Sequence, residues 1–302
     1  MDINETQIGS VSDLLAQLSA LENNNSTLFF RGHANKCFTL KPYVYREEKW
    51  LQNEDTIIRE MIMRCPAEFS SMRSNFEKLV KMQHYGLPTR LLDLTENPLV
   101  ALYFACIGEK EKDVNGEVIF FNIPKVDIKY YDSDTVSVVS NIAWSESNFE
   151  VGQEFSSLKN FHNEANHHAQ KLMHNIGQEK PHFLPKIKPK DLERVLCVKP
   201  KMDNQRLIRQ DGAFLLFGVN KTKHDAASIP PKWVYKPDSK RCIIKSENKD
   251  FILNELSKLG ISRAKLFPEI DTVSEFLKND FQHEDKPFVS NLPKYSKSVD
   301  FS

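Results

Sequence analysis

Apolar residues at Val11, Leu14, Leu15, Leu18 and Leu21 recur at the i, i+3, i+4, i+7 spacing that lays one helix face on a core, with Ser10 and Ser12 available as caps. The Asn23-Asn24-Asn25-Ser26 run ends that pattern, and residues 27–31 (TLFFR) read as a short buried strand closed by Arg31-Gly32-His33. An extended segment is expected over 38–42, and residues 43–50 turn charged. Spaced apolar faces (Ile57, Ile58, Met61, Ile62 and Phe69; then Phe76, Leu79, Val80 and Met82) predict two helices over 54–69 and 74–83. Residues 116–123 (GEVIFFNI) are β-branched and aromatic and predict a strand; residues 125–144 are strand-like in patches around Val136, Val138 and Val139. Further strands are expected over 192–198, from Gly212 onward after a polar, helical approach at 204–211, and at 242–244. An amphipathic helix over 249–259 stops at Gly260, a last helix is expected over 271–277, and a polar tail follows from 279 to 302.

The stretch 83–105, QHYGLPTRLLDLTENPLVALYFA, breaks this simple patterning. Gln83, His84 and Tyr85 enter a Gly86-Leu87-Pro88 bend, where Gly accepts positive φ and Pro fixes the next one. Asp93, Thr95, Glu96 and Asn97 then fall within five positions. Pro98 stands where a first helical residue would, Thr95 or Asn97 can cap it, and the following Leu99, Val100, Leu102, Tyr103 and Phe104 make a helix apolar enough to be buried. A polar loop anchored to the core by its own helix is how a scaffold holds binding or catalytic groups. The plainer alternative is that Arg90 and Asp93, three apart, pair to close the turn. Arg31, at the end of a core strand, likewise needs a partner, either a carboxylate such as Asp93 or a ligand phosphate gripped by its planar fork.

Composition narrows the classes. A chain of 302 residues with 40% hydrophobic and 27% charged residues is an ordinary globular mix, long enough for one large domain or two modest ones. Net charge of +0 gives no global field toward nucleic acid or acidic membrane. Five scattered cysteines without a CxxC pair signal neither a disulfide framework nor a zinc site, and fit reduced thiols in a cytoplasmic protein. No leader pattern and no membrane-length apolar run is present, so no membrane partner is expected. The histidines at 162, 167, 168, 174 and 182 lie in HNEANHH and its surroundings rather than in HExxH, which predicts a solvated helix over 165–173 and no metal site.

Three separated segments together resemble the FRG domain: Phe30-Arg31-Gly32; the long run Gln83, His84, Gly86, Pro88 to Asp93, Thr95, Pro98 and Ala101 to Ala105; and Arg206, Gln210, Gly212 and Phe214. The closing KLGISRAKLFPEID is also similar to that family's end. The resemblance implies an FRG domain over 27–278; a His- and Asn-rich insertion at about 145–185, an N-terminal helix over 1–26 and a tail over 279–302 fall outside it. The order of the segments is also similar to arginine-class ADP-ribosyltransferases. That likeness implies an α+β fold with a split, mostly antiparallel sheet flanked by helices, and a pocket for NAD or a related nucleotide in which NAD is the substrate. On that basis Arg31, Gly32, Tyr85, Thr89, Arg90 and Thr95 are expected to bind the nucleotide. His84 is expected to move a proton, and Asp93 or Glu96 to stabilise a developing cation. Gln210 stands where a late Glu would be, and an amide cannot supply that negative charge. The implied activity is ADP-ribosyl transfer to a protein or nucleic-acid acceptor, or NAD hydrolysis, in a toxin or phage-defence setting. The rival is a non-catalytic module that binds nucleic acid or protein, with Arg31, Lys41, Arg46, Arg90 and Arg206 on phosphates.

Overall fold

The computed structural model describes residues 4–19, 25–108, 110–152, 167–184 and 186–269. The expected helix at 271–277, the tail at 279–302, His162 and the start of the helix at 165–173 lie outside them. Strands β1 (Glu5–Gln7), β2 (Ser26–His33), β3 (Leu91–Thr95), β4 (Gly116–Pro124), β5 (Ile128–Tyr130), β6 (Val195–Lys199), β7 (Gly212–Phe217), β8 (Val219–Asn220), β9 (Thr222–Ala226), β10 (Val234–Tyr235) and β11 (Arg241–Ile244) occur in chain order. The helices are α1 (Val11–Ser19), α2 (Glu48–Gln52), α3 (Glu54–Arg64), α4 (Pro66–Phe69), α5 (Asn75–His84), α6 (Pro98–Cys106), α7 (Asp134–Asn141), α8 (His167–Glu179), α9 (Pro189–Leu192), α10 (Gln205–Arg209), α11 (Lys249–Lys258) and α12 (Arg263–Leu266).

One sheet runs in the order β1-β11-β4-β2-β3-β7-β6-β5, with β10 also alongside β4. Its pairs are antiparallel except β1 with β11 and β5 with β6, so the fold is a mixed helix and sheet with a mostly antiparallel, open sheet. β2 meets β4 along its whole length, yet it meets β3 in register only at Phe30 opposite Thr95. The sheet therefore parts beyond that point. The N-terminal residues are part of it, because β1 joins β11 and Ile8, Val11 and Leu14 are buried beside α6 and α11.

Alternation along β3 and β7 sends Leu91, Phe214 and Leu216 to a core with α3, α5, α7 and α8, and Leu92, Leu94, Ala213 and Leu215 to the opposite face with Trp233. On β2, Phe30 faces a separate core with α1, α6 and α11. Two helical clusters thus cover neighbouring parts of one sheet face, and the line between them lies over the place where β2 and β3 separate.

The helices that flank this line have clear local causes. Ser74 and Glu77 form a reciprocal capping box at the start of α5, which buries Phe76, Leu79 and Met82. Asn97 accepts from the Leu99 amide at 3.0 Å and Pro98 opens α6. Gly32 is where β2 touches α6: a Cβ there would stand 2.0 Å from the Ala101 carbonyl oxygen.

Residues 134–141 correct the strand-like reading, because they form α7. Val136, Val138 and Val139 are buried, and so are Ser137, Ser140 and Asn141, a polar stripe at helical spacing that bonds to Asn75 of α5 and Glu179 of α8 instead of facing water. The histidine-bearing helix is also more than a solvated one, since Ala169, Leu172 and Ile176 face the core. Residue Leu192 belongs to α9, and the strand expected from 192 begins at Val195. No helix among the described residues is long and apolar enough to cross a membrane.

Candidate functional site

Arg31 stands at the parting of β2 and β3. Continued pairing would set Gly32 opposite Asp93; instead the Arg31 guanidinium enters the gap and its Nη1 donates to the Asp93 carbonyl at 2.6 Å. The Asp93 carboxylate is 3.8 Å from the same nitrogen. Arg31 Nε donates to His33 Nε2 at 3.0 Å, which requires that ring nitrogen to be unprotonated. Burial, with help from the cations of Arg31, Arg46 and Arg241, pushes His33 down to about 3, so the ring stays neutral. Burial also lowers the proton affinity of Arg31 itself, against the opposing pull of Asp93.

The C-terminal end of α5 supplies the next groups. Gln83 Nε2 donates to Asp93 Oδ2 at 3.0 Å while its Oε1 accepts from the Thr89 hydroxyl, so one amide ties the bend to the strand. His84 Nε2 lies 3.3 Å from Glu269 Oε1. Burial and the Arg206 cation lower the proton affinity of His84, and Glu269 partly restores it. Thr95 donates its hydroxyl to the Gln210 carbonyl at 2.6 Å and accepts from the Asn97 amide at 3.0 Å. It therefore locks β3 to the end of α10.

A cleft of about 190 Å³ is lined by Phe30, Arg31 and Gly32 of β2, Gln83 and His84 of α5, Asp93 and Thr95 of β3, and Arg206 and Gln210 near α10. Phe104, Leu207 and Phe214 supply apolar wall. A second hollow of about 340 Å³ shares Val80, His84 and Asn204 with it and continues past Lys81, Tyr85 and Lys201. Of the residues expected from the sequence, Arg31, Gly32, His84, Asp93, Thr95 and Gln210 are thus brought together.

Four expected residues lie elsewhere. Arg90 is fully buried and grips Glu54 with two bonds, Nε to Oε1 at 2.9 Å and Nη2 to Oε2 at 2.5 Å. It pairs neither with Asp93 nor with anything in the cleft. Lys223 Nζ completes that cluster 3.2 Å from Glu54 Oε2, and burial that alone would lower Arg90's proton affinity is outweighed by Glu54 and Tyr45, which raise it. Thr89 is buried behind Gln83. Glu96 faces Lys199 at 2.8 Å, and exposed Tyr85 lines only the second hollow. Gly32 lines the cleft, but its want of a side chain serves contact with α6.

Sequence reasoning left Gln83, Asn204 and Glu269 out of the site and gave Arg206 only to the rival reading. Gln83 was legible, since it opens the long polar stretch beside His84. Nothing in local spacing joins Glu269 to His84, which are brought together by α11 and α12.

The lining chemistry can grip an anion through Arg31 and Arg206, accept hydrogen bonds through Asp93, and take up a proton at His84. Neither the curated proteins nor the solved structures contain a match to this chain. Residues 26–114, which hold the Phe30-Arg31-Gly32 strand and the Gln83-to-Ala105 stretch that build this side of the cleft, match the FRG domain, and the protein is accordingly one that carries an FRG domain.

Proposed function

We propose that the cleft binds a nucleotide, NAD or a related one, and that the chemistry performed there is ADP-ribosyl transfer to a macromolecular acceptor or NAD hydrolysis. The observation that carries this reading is the meeting of two guanidinium groups, a half-exposed carboxylate, an amide and an imidazole in one hollow with aromatic walls. Arg31 offers a planar fork for a phosphate, held at the strand gap by the Asp93 carbonyl. Asp93, with its carboxylate turned to solvent and braced by Gln83, can accept from a sugar hydroxyl or face a developing cation. His84, whose proton affinity burial and the Arg206 cation lower, can accept a proton from the ligand. The adjoining hollow across His84 and Asn204 gives room for a ligand of two linked units.

Calorimetry and thermal shift with NAD, ADP-ribose and AMP test this. A saturable heat and a raised melting temperature are expected for at least one of them, and loss of both in a folded Arg31→Ala protein. No response of the wild-type protein to any of the three sinks the reading. A toxin or phage-defence role follows from the resemblance and predicts growth arrest on expression of the wild-type chain but not of Arg31→Ala.

One observation favours a nucleic-acid partner instead. The Arg46 guanidinium lies 5.1 Å from the Tyr43 ring and 6.0 Å from the Phe38 ring, and both rings are 40% exposed, a surface on which bases can stack. Affinity for single-stranded DNA or RNA that falls steeply between low and moderate salt, without any nucleotide response, would support this second reading.

A further inference from the structure

One short segment, α12 and the three residues after it, packs against three residues that line the cleft. The Leu266 carbonyl accepts from Gln210 Nε2 at 3.1 Å, the Phe267 ring lies 4.6 Å from the Arg206 guanidinium, and the Glu269 carboxylate stands 3.3 Å from His84. A carbonyl oxygen only accepts, so the Gln210 atom that faces Leu266 is its amide nitrogen, and Oε1 is the atom left toward the cleft. A carboxylate at position 210 would set one acceptor against another and push the segment off. An amide at this position donates to the segment as a carboxylate could not.

The negative charge comes from the segment itself. Glu269 places one carboxylate oxygen on His84, and its other oxygen is buried with no hydrogen-bonding partner among the described residues. A buried carboxylate oxygen without a donor is costly, so the placement of Glu269 depends on the contacts that hold the segment closed. The other groups facing His84 are Arg206 from α10, Lys81 from its own helix and the Tyr85 ring, whose centroid is 4.9 Å away. Glu269 is the anion among them.

We propose that Gln210 is a positioning residue that pins residues 265–269 against the residues that line the cleft, and that Glu269, held there, is a second positioning residue that pairs with His84 and orients that ring toward a donor on the ligand, such as a ribose hydroxyl. The ligand half of this rests on the nucleotide reading of the cleft. The positioning half does not.

The test uses the full chain and the variants Gln210→Glu, Gln210→Met and Glu269→Gln. Trypsin cleavage after exposed Lys265 reports whether the segment is closed, and NMR titration of the His84 ring, assigned with His84→Gln, reports whether Glu269 is beside it. Gln210→Glu is expected to raise the cleavage rate about tenfold, as loss of one closing hydrogen bond allows. Gln210→Met, which adds no charge, raises cleavage likewise and lowers the pH at which His84 titrates, and keeps the experiment decisive if the charged variant does not fold. Glu269→Gln lowers the His84 titration while cleavage stays at the wild-type rate, and weakens NAD binding about tenfold. Wild-type cleavage in both position-210 variants, or wild-type titration in Gln210→Met, would overturn the positioning role, and an unmoved His84 titration in Glu269→Gln would overturn the pairing. A wild-type protein that binds no nucleotide overturns the ligand half alone, because the cleavage and titration results stand without it.

Discussion

The buried cluster of Glu54, Arg90 and Lys223 makes the sharpest demand on stability. All three side chains are fully enclosed, with Arg90 bonded twice to Glu54, and Lys223 donating to the Ser145 carbonyl at 2.5 Å. Removing one member of a buried ion pair costs about 3–5 kcal/mol, because the remaining charge is left without compensation. Glu54→Gln leaves two cations facing each other, so the upper end, about 5 kcal/mol, is expected. Arg90→Met leaves Glu54 still paired with Lys223 at 3.2 Å, so the lower end, about 3 kcal/mol, is expected. With a urea m-value of about 3 kcal/mol per M, the midpoints fall by about 1.7 M and 1 M, a large part of the ~5–15 kcal/mol available to a folded chain. Acidity gives a second readout. Burial alone would raise the Glu54 pKa, but Arg90 and Lys223 outweigh it and lower it. Its stabilisation is therefore complete above the unfolded value of about 4.3 and is lost as pH falls through the lower folded value. Urea titrations at several pH values, followed by tryptophan fluorescence, measure both effects. Because Arg90 points away from the cleft, an Arg90→Met protein kept below its midpoint should bind ligand as the wild type does. The reasoning fails if Arg90→Met costs more than Glu54→Gln, or if it leaves stability unchanged while abolishing binding.

Other expectations are as direct. His33, held neutral in the fold down to about 3, should weaken the protein as pH drops from 6.5, where the unfolded ring begins to bind a proton, on the order of 3 kcal/mol by pH 4; a His33→Phe protein should lose that part of the acid dependence in denaturant titrations. Gly32→Ala would force a methyl to 2.0 Å from the Ala101 carbonyl and 2.5 Å from the Ala105 amide, so calorimetric scans should show a loss of about 3 kcal/mol, and a wild-type melting curve would disprove the close packing of β2 on α6. Ser74→Ala breaks the capping box of α5 and should cost about 1 kcal/mol by urea denaturation.

Much of this molecule is written locally. The period of apolar residues marks α1, α3, α5 and α11; Asn97 and Pro98 mark the start of α6; and the aromatic and β-branched runs mark β2, β4 and β7. Those signals depend on neighbours in the chain, through hydrogen bonds and side-chain spacing within one or two turns, so a linear reading captures them. The valines of α7 misled because β-branched residues weigh toward a strand, while the helical stripe of Ser137, Ser140 and Asn141 is buried against α5 and α8, which only tertiary packing decides.

The candidate site divides along the same line. The sequence, read with its family resemblance, set Arg31, His84, Tyr85, Arg90, Thr95 and Gln210 around one cleft with Asp93 or Glu96; Arg31, His84, Asp93, Thr95 and Gln210 line one hollow, and Tyr85, Arg90 and Glu96 do not. What it left open was which partner each charge would take, since Coulomb energy and desolvation are set by distance and burial rather than by spacing along the chain. Tertiary packing sent Arg90 to Glu54 across 36 positions, opened the gap between β2 and β3 that Arg31 fills, and carried Glu269 to His84.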